Sequence, residues 1–463
     1  MLKKFKKYKL RKPFSRQIRL SPLLSVDRQI RRDFIDYFGD ILASDPLAAS
    51  LGMMAYAYEN NAGALAETLS KARRVLMSSE VADLLDRADL RKYQLAAFRE
   101  YFREKKVMEP SIAKGLLTFS KEFDPKFSWA FSEASTSQQP RLREFEKVTQ
   151  ASPGISISIF FRHKFYPGSR PHDLPYRFAS GLESVGAKCT ILDPDIDLQE
   201  LGYSDITLVD DTNIHRKDEK LKRNFLESIR TKTKKLVMLE MDPWGEGLER
   251  RIKSNRDIYD LVWAMSPDLL DQDDQIFGLD ASVMLFPCGA PDVFARHRYQ
   301  KGSAPAQGLK FCGGVEEFNF PRYFWLLSIL ERGDLFDVRV TNHDQDNKTA
   351  ADSFDDYLFS LSDRYGCLNF LKRSTGEKIL VGRTSDALNL GVLLVQEQAD
   401  IVSAYLRPGE HFLEFSDPQR LIEIGEILKF NPKEFEDIRL SGEQFFQANY
   451  SDQEVLKHMC SWL

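Results

Sequence analysis

Two stretches in the last third of the chain have residue types and spacing suited to phosphate chemistry. The first is Phe311-Cys-Gly-Gly314, which closes an apolar run just before a helix-compatible stretch that begins near Asn319. Gly313 and Gly314 at such a turn let the backbone approach a phosphate closely, and the helix beyond offers free N–H groups and the positive end of its dipole. A Gly-Gly turn alone serves packing more often than binding. The second runs from Val381 to Glu397, Val-Gly-Arg-Thr-Ser-Asp-Ala-Leu-Asn-Leu-Gly-Val-Leu-Leu-Val-Gln-Glu, a loop and short helix leading into a buried strand. Arg383 and Asp386 stand one helical turn apart there. The arginine can fork onto a pyrophosphate, and the carboxylate can accept hydrogen bonds from ribose hydroxyls. On spacing alone the two describe a surface Arg–Asp helix pair.

A third stretch carries proton-transfer chemistry. Arg162, His163, Lys164, Arg170, His172 and Asp173 crowd one loop before a helix that begins near Leu174. A histidine oriented by a carboxylate is suited to accept a proton from an acceptor hydroxyl. His163 and His172 are both candidates for that base, with Asp173 and Asp211 as alternatives. The plainer reading makes Asp173 a helix cap and the histidines surface residues. Asp193-Pro-Asp195, Asp210-Asp211 and Asp271-Gln-Asp273 look like metal-binding carboxylate pairs but read as loop and cap residues, so no metal ligand is expected.

These stretches need elements to position them. Short apolar runs at Ile155–Phe161, Ala187–Leu192, Ile206–Val209, Lys235–Leu239, Leu261–Met265 and Val283–Phe286 alternate with helical patterns. The alternation restarts at Leu309–Cys312, Phe336–Val340, Cys367–Phe370, Val392–Val395 and His411–Phe415. Strands separated by helices imply crossover units and parallel sheets buried on both faces. The fold class is therefore α/β: two doubly wound, Rossmann-like parallel-sheet domains. An α-helical domain precedes them, where Leu65, Leu69, Ala72 and Leu76, then Leu90, Tyr93, Ala97, Phe98, Tyr101 and Phe102, recur at spacings of three and four. Polar, period-free stretches at 133–140 and 297–307 mark linkers. The expected division is a basic segment at 1–30, a helical domain at 31–150, a first sheet domain at 151–300 and a second at 301–463. Ligands of such sheets bind beyond the carboxyl ends of the strands, so two facing domains make a cleft.

Composition bounds the partners. The 463 residues, 43% hydrophobic and 29% charged, are those of an ordinary globular protein of roughly three domains. Lys plus Arg (65) nearly balances Asp plus Glu (69), which argues against a nucleic-acid coat. Five scattered cysteines without a C-x-x-C pair suggest neither a disulfide framework nor a zinc site and fit a reducing cytoplasm. No run is long enough to span a bilayer, and the amino terminus lacks the apolar core of a signal peptide. Residues 1–20 interleave nine cations from Lys3 to Arg19 with Leu2, Phe5, Tyr8, Leu10, Phe14 and Ile18. That mixture suits either peripheral contact with an anionic inner leaflet or a solvated basic tail.

A family pattern links several of these pieces: Tyr357-Leu with Leu361-Ser, Cys367-Leu-Asn-Phe370, Gly382-Arg383-Thr384 leading into Asp386-Ala-Leu, Gly391-Val-Leu-Leu-Val395, and the run from Leu406-Arg-Pro-Gly to Phe415-Ser-Asp417. With the glycine-ended strand at 311–314, they make residues 309–463 resemble the carboxyl-terminal domain of CgeB-like (spore-maturation-type) glycosyltransferases of the GT-B fold. The middle domain resembles the family more loosely, through Leu239-Glu-Met-Asp-Pro-Trp244 and Phe286-Pro-Cys-Gly-Ala-Pro-Asp292, and the helical third is not covered. The resemblance implies that Gly313, Gly314, Arg383, Thr384 and Asp386 contact a donor nucleotide, with Glu397 near the sugar or ribose. It also implies no cofactor and no bound metal, the nucleoside diphosphate sugar being a substrate. Asp386 stands where many relatives have glutamate, and the glutamate eight residues earlier is absent, which leaves the stereochemical outcome unassigned.

The expected activity is transfer of a sugar from a nucleoside diphosphate sugar to a glycan, lipid-linked or protein acceptor, in the cytoplasm or on the inner face of the membrane. The alternative is a non-catalytic helical adaptor fused to a degenerate transferase pair. A dinucleotide oxidoreductase is disfavoured, since no strand is followed by G-x-G-x-x-G.

Overall fold

The computed structural model describes residues 95, 98, 99, 102, 108, 110–124, 126–132, 154–160, 174–193, 201–210, 219–240, 248–298, 306–316, 319–340 and 350–463. The basic segment, the helical faces from Leu65 to Leu76 and the linker at 133–140 lie outside them. From the helical third, α1 (Pro110–Phe123) and α2 (Phe127–Ala130) are described.

The first sheet follows. Its elements are β1 (Ser156–Phe160), α3 (Leu174–Ser184), β2 (Lys188–Leu192), β3 (Ser204–Asp210), α4 (Glu219–Arg230), β4 (Thr233–Glu240), α5 (Leu248–Asn255), β5 (Leu261–Ala264), β6 (Gln275–Ile276), β7 (Leu279–Val283) and α6 (Pro291–His297). The strand order is β2-β1-β3-β4-β5-β7-β6, parallel throughout except for β6, which pairs antiparallel to β7. The two-residue β6 is too short to leave a pattern in the sequence. The apolar run expected as a strand at Val283–Phe286 begins four residues earlier, at Leu279. Met284, Leu285 and Phe286 are buried but carry on past the strand toward the interdomain crossing.

The second sheet comprises β8 (Ala306–Gly313), α7 (Pro321–Leu330), β9 (Phe336–Val340), α8 (Ala350–Ser362), β10 (Arg364–Asn369), α9 (Gly382–Asn389), β11 (Leu393–Glu397), α10 (Asp400–Ser403), β12 (Leu413–Phe415), α11 (Pro418–Phe430) and α12 (Glu436–Tyr450). Its order is β12-β11-β10-β8-β9, all parallel. The fold is thus two Rossmann-like α/β units, as the alternation of patterns implied. The last helix, α13 (Asp452–Cys460), returns to the first sheet, where Val455, Leu456 and Met459 join a core of Ile157, Leu208, Val237, Trp263 and Phe286. A second apolar cluster is continuous between the units, running from Val209, Met238 and Val262 through Leu285 and Phe294 to Leu358, Leu371 and Leu394.

The described helical residues pack on the far side of the second sheet and not on the first, which follows them in sequence. The reason lies in α7, whose ten residues are all buried. A helix buried around its whole circumference needs cover on every side. The sheet covers one side; Phe98, edge-on to Tyr323, Phe127, edge-on to Phe324, and Phe131, edge-on to Trp325, cover the other. Each such aromatic pair adds about 1 kcal/mol beyond the area it buries.

Candidate functional site

In the second sheet β8 lies between β9, which follows it, and β10, which comes later, so the crossovers diverge at β8 and β10. That divergence is a topological switch point, where open parallel sheets bind ligands. β8 ends in Gly313 and β10 in Asn369. Arg383, in the first turn of α9, reaches this point from the side. Its Nη1 donates to Asn369 Oδ1 at 2.9 Å, its Nη2 donates to the Cys312 carbonyl, and its plane lies 4.9 Å from the Phe311 ring. A Cβ on Gly313 would stand 2.2 Å from Nη2, so the glycine makes room for the guanidinium. Gly314 lends its carbonyl to Arg322 Nη1 at 2.5 Å, and Arg322 Nη2 donates to the Phe370 carbonyl at 3.3 Å.

Arg322, Arg373 and Arg383 are each at most 9% exposed. Burial pulls the Arg322 pKa well below its usual value, the charges of Arg383 and Arg373 pull it further, and Glu397 and Glu316 offset this only in part. Nε of Arg383 and Nε of Arg322 have no hydrogen-bond partner within the protein. Buried donors are normally satisfied and buried cations normally paired. Like charges gathered beside a glycine turn and two helix amino termini, with donors unspent, suit a polyanion.

The other expected residues are brought to the same region. Thr384 Oγ1 donates to Gln396 Oε1 at 2.7 Å, and Asn369 Nδ2 donates to both, at 3.1 and 2.8 Å, so Asn369 is the hub of a buried polar chain. Glu397, at the end of β11, accepts from the backbone N–H groups of Leu371 (2.7 Å) and Lys372 (3.1 Å), and its other oxygen lies 3.4 Å from Lys378 Nζ. It holds the turn after β10. Asp386 faces the first domain: Oδ1 accepts from Arg177 at 2.8 Å and Oδ2 from the Tyr357 hydroxyl at 3.2 Å. Burial, with Asp386 adding to it, holds the Tyr357 hydroxyl well above its ordinary pKa, so it acts as a donor.

The helical residues form walls of this site. Arg99 pairs with Glu316, two residues beyond Gly314, and Lys372 donates to the carbonyl of Trp129 and to O and Oγ of Ser132, both at 2.9 Å. The Lys372 ammonium also lies 4.4 Å from the Trp129 ring. Burial lowers its pKa to about 8, Lys378 adds to the shift and Glu397 opposes it.

Sequence reasoning missed Asn369, Arg322 and Arg177. Two left a signal: Asn369 is a polar residue at the end of a buried strand, and Arg322 is the one charge in an otherwise apolar helix. Arg177 left none.

In the first sheet the equivalent switch point lies between β1 and β3. The loops that follow those strands, 161–173 and 211–218, are outside the described residues, and with them His163, His172, Asp173 and Asp211. Asp210, at the end of β3, and Glu240, at the end of β4, are each 1% exposed, and Glu240 is paired with Arg251 at 2.6 Å. Among the described residues no group of three or more His, Cys, Asp or Glu side chains could hold a metal ion, and no helix is long and apolar enough to cross a membrane.

The chain matches no protein-family model and no curated protein. Among solved structures it is similar to HepE of Anabaena in complex with UDP and glucose, with 10% identity and a TM-score of 0.41 over 66% of this chain and 98% of that one. It is also similar to sucrose-phosphate synthase of Thermosynechococcus elongatus (12%, 0.39, 66% and 97%) and to the lipopolysaccharide outer core galactosyltransferase WaaB in its apo form (10%, 0.38, 66% and 99%).

Proposed function

We propose that this protein is a metal-independent glycosyltransferase of the GT-B type, in the CgeB-like group that its sequence resembles. It moves a sugar from a nucleoside diphosphate sugar to a glycan, lipid-linked or protein acceptor. The observation that carries the reading is the pair of buried guanidinium groups, Arg383 and Arg322, with unspent Nε donors at the switch point of the second sheet. A diphosphate leaving group gathers negative charge as the glycosidic bond breaks. Fixed donors in a site shielded from water stabilise that charge without having to reorganise. Gly313 and Gly314 admit the phosphates to the backbone, and Thr384 holds Asn369 and through it Arg383. Asp386 and Glu397 shape the site from its two sides. In the first sheet domain His163 or His172 takes the acceptor proton, with Asp173 and Asp211 the alternatives. Residues 1–20 hold the enzyme to anionic lipid at the cytoplasmic face.

A second reading, a degenerate transferase pair acting as an adaptor, is favoured by one feature: Asp386, Thr384 and Glu397 already have partners inside the protein. A thermal-shift screen against nucleoside diphosphates and their sugars separates the two, because a ligand that binds only the folded chain raises its melting temperature. The transferase reading expects one nucleotide to stabilise strongly and its sugar to turn over. Stabilisation by none of them leaves the adaptor.

A further inference from the structure

One side chain of the first domain reaches the helix that carries Arg383. Arg177 lies in the first turn of α3, the helix that follows β1, and crosses to the second domain. Its Nη2 donates to Asp386 Oδ1 at 2.8 Å, its Nε donates to the Cys288 carbonyl at 2.9 Å, and its plane lies 4.2 Å from the Phe354 ring. The Arg177 and Asp386 side chains are 12% and 4% exposed. Burial pulls the arginine's pKa down, but Asp386 and its other neighbours more than restore it, so the guanidinium stays charged.

The backbone at Arg177 is as tightly placed as its side chain. A Cβ on Gly289, which has φ of +61°, would stand 1.7 Å from the Arg177 carbonyl oxygen, so α3 rests directly on the interdomain crossing. Ala290, with φ of 48°, donates its N–H to Ser180 Oγ, one turn further along α3, at 2.9 Å. One helix of the first domain thus touches the crossing, α8 and α9 of the second.

A buried ion pair is a poor adhesive. Desolvation takes several kcal/mol per ion, and apolar side chains of similar volume hold elements together as well or better. What such a pair does well is fix one register between the pieces it joins. Here the anionic partner is on α9, one turn from Arg383, whose own position depends on α9 remaining against Gly313.

We propose that Arg177 is a positioning residue for the phosphate site of the second domain: its fork to Asp386 and Cys288 sets the spacing of the two domains and holds α9 so that Arg383 faces the diphosphate. The proposal rests on the nucleotide-sugar reading for its ligand. Its structural half, the domain spacing, does not.

The test uses the full chain and the variants Arg177→Gln, Arg177→Lys, Asp386→Asn and the double Arg177→Gln/Asp386→Asn. Small-angle scattering reports domain spacing, and calorimetry with uridine and guanosine diphosphates reports binding, both well below the melting temperature. Arg177→Gln, Asp386→Asn and the double variant are each expected to show the same wider distance distribution. Each should also lose about tenfold in affinity for the nucleotide that the wild type binds, with no further loss in the double, as for two halves of one interaction. Lysine keeps the charge but not the fork, so Arg177→Lys should fall between wild type and Arg177→Gln. Scattering and affinity both unchanged, or losses that multiply in the double, overturn the proposal, since a merely stabilising pair would lower the melting temperature and move neither. Should the wild type bind neither nucleotide, the nucleotide reading is what fails, and the scattering comparison alone decides whether Arg177 sets the spacing.

Discussion

At its switch point the first sheet ends in Phe160 and Asp210, with Glu240 on the next strand; the second ends in Gly313 and Asn369, with Arg322, Arg373 and Arg383 around them. In both sheets the strand order reverses at the same place in the topology, so the backbone offers two similar crevices. Among the described residues the strand ends of the first carry carboxylates, Glu240 paired with Arg251, whereas guanidinium groups gather at those of the second. A carboxylate can orient a base; a cluster of guanidinium groups suits a leaving diphosphate. The difference teaches that the fold supplies the location of each site, whereas a few residues at the strand ends supply its chemistry.

The largest effect expected is at the first sheet. On the proposed assignment, alanine at whichever of His163 and His172 serves as base should lower the turnover rate about a hundredfold with nucleoside diphosphate affinity unchanged. If rate and affinity fell together in both variants, the division of labour between the crevices would be broken. Next comes the wall of the cationic end. Trp129→Ala removes a ring stacked 5.7 Å from Phe320 and the face under the Lys372 ammonium. It should cost about 2 kcal/mol in denaturant unfolding, somewhat less than a fully buried tryptophan. An unchanged midpoint would detach the helical residues from the second domain.

A smaller effect follows at the site itself. Arg383→Ala should weaken binding of uridine or guanosine diphosphate at least tenfold, about 1.4 kcal/mol, by calorimetry. Unaltered affinity would remove the guanidinium from the donor site and leave the cationic crevice unexplained. The smallest effect is in the pH profile. Folded, Lys372 loses its proton near pH 8 against an ordinary 10.5, so unfolding takes up a proton between those values. Its contribution to stability therefore rises as pH increases through that window. Lys372→Met should flatten the slope of melting temperature against pH there; an identical slope would mean that the ammonium is not held as described.

The alternation of short apolar runs and helical patterns made both sheets legible, with Phe336–Val340 matched residue for residue, because strands buried on both faces read as continuous apolar runs. The short helix carrying Arg383 and Asp386 was legible from its glycine entry and its lead into a buried strand. Periodicity reports that a face is buried and not what buries it, which is why Phe98 was recognisable as core while its place against Tyr323 was not. The same limit hid the Arg177–Asp386 pair, whose members are 209 residues apart in the chain. Asp386 read as a ribose contact because its spacing from Arg383 is visible locally, whereas its partner on another domain is not.

The return of α13 to the first sheet has a consequence for biosynthesis. Ribosomes add roughly 5–20 residues per second, and domains tend to fold in the order in which they emerge. The first sheet is complete in sequence by Val283, yet the face bearing Trp263 and Phe286, against which Phe178 of α3 packs, lacks the rest of its cover until Val455, Leu456, Met459 and Trp462 have been made. For roughly 10 to 30 seconds of translation, the uncovered part of that greasy surface is open to chaperones or to neighbouring nascent chains.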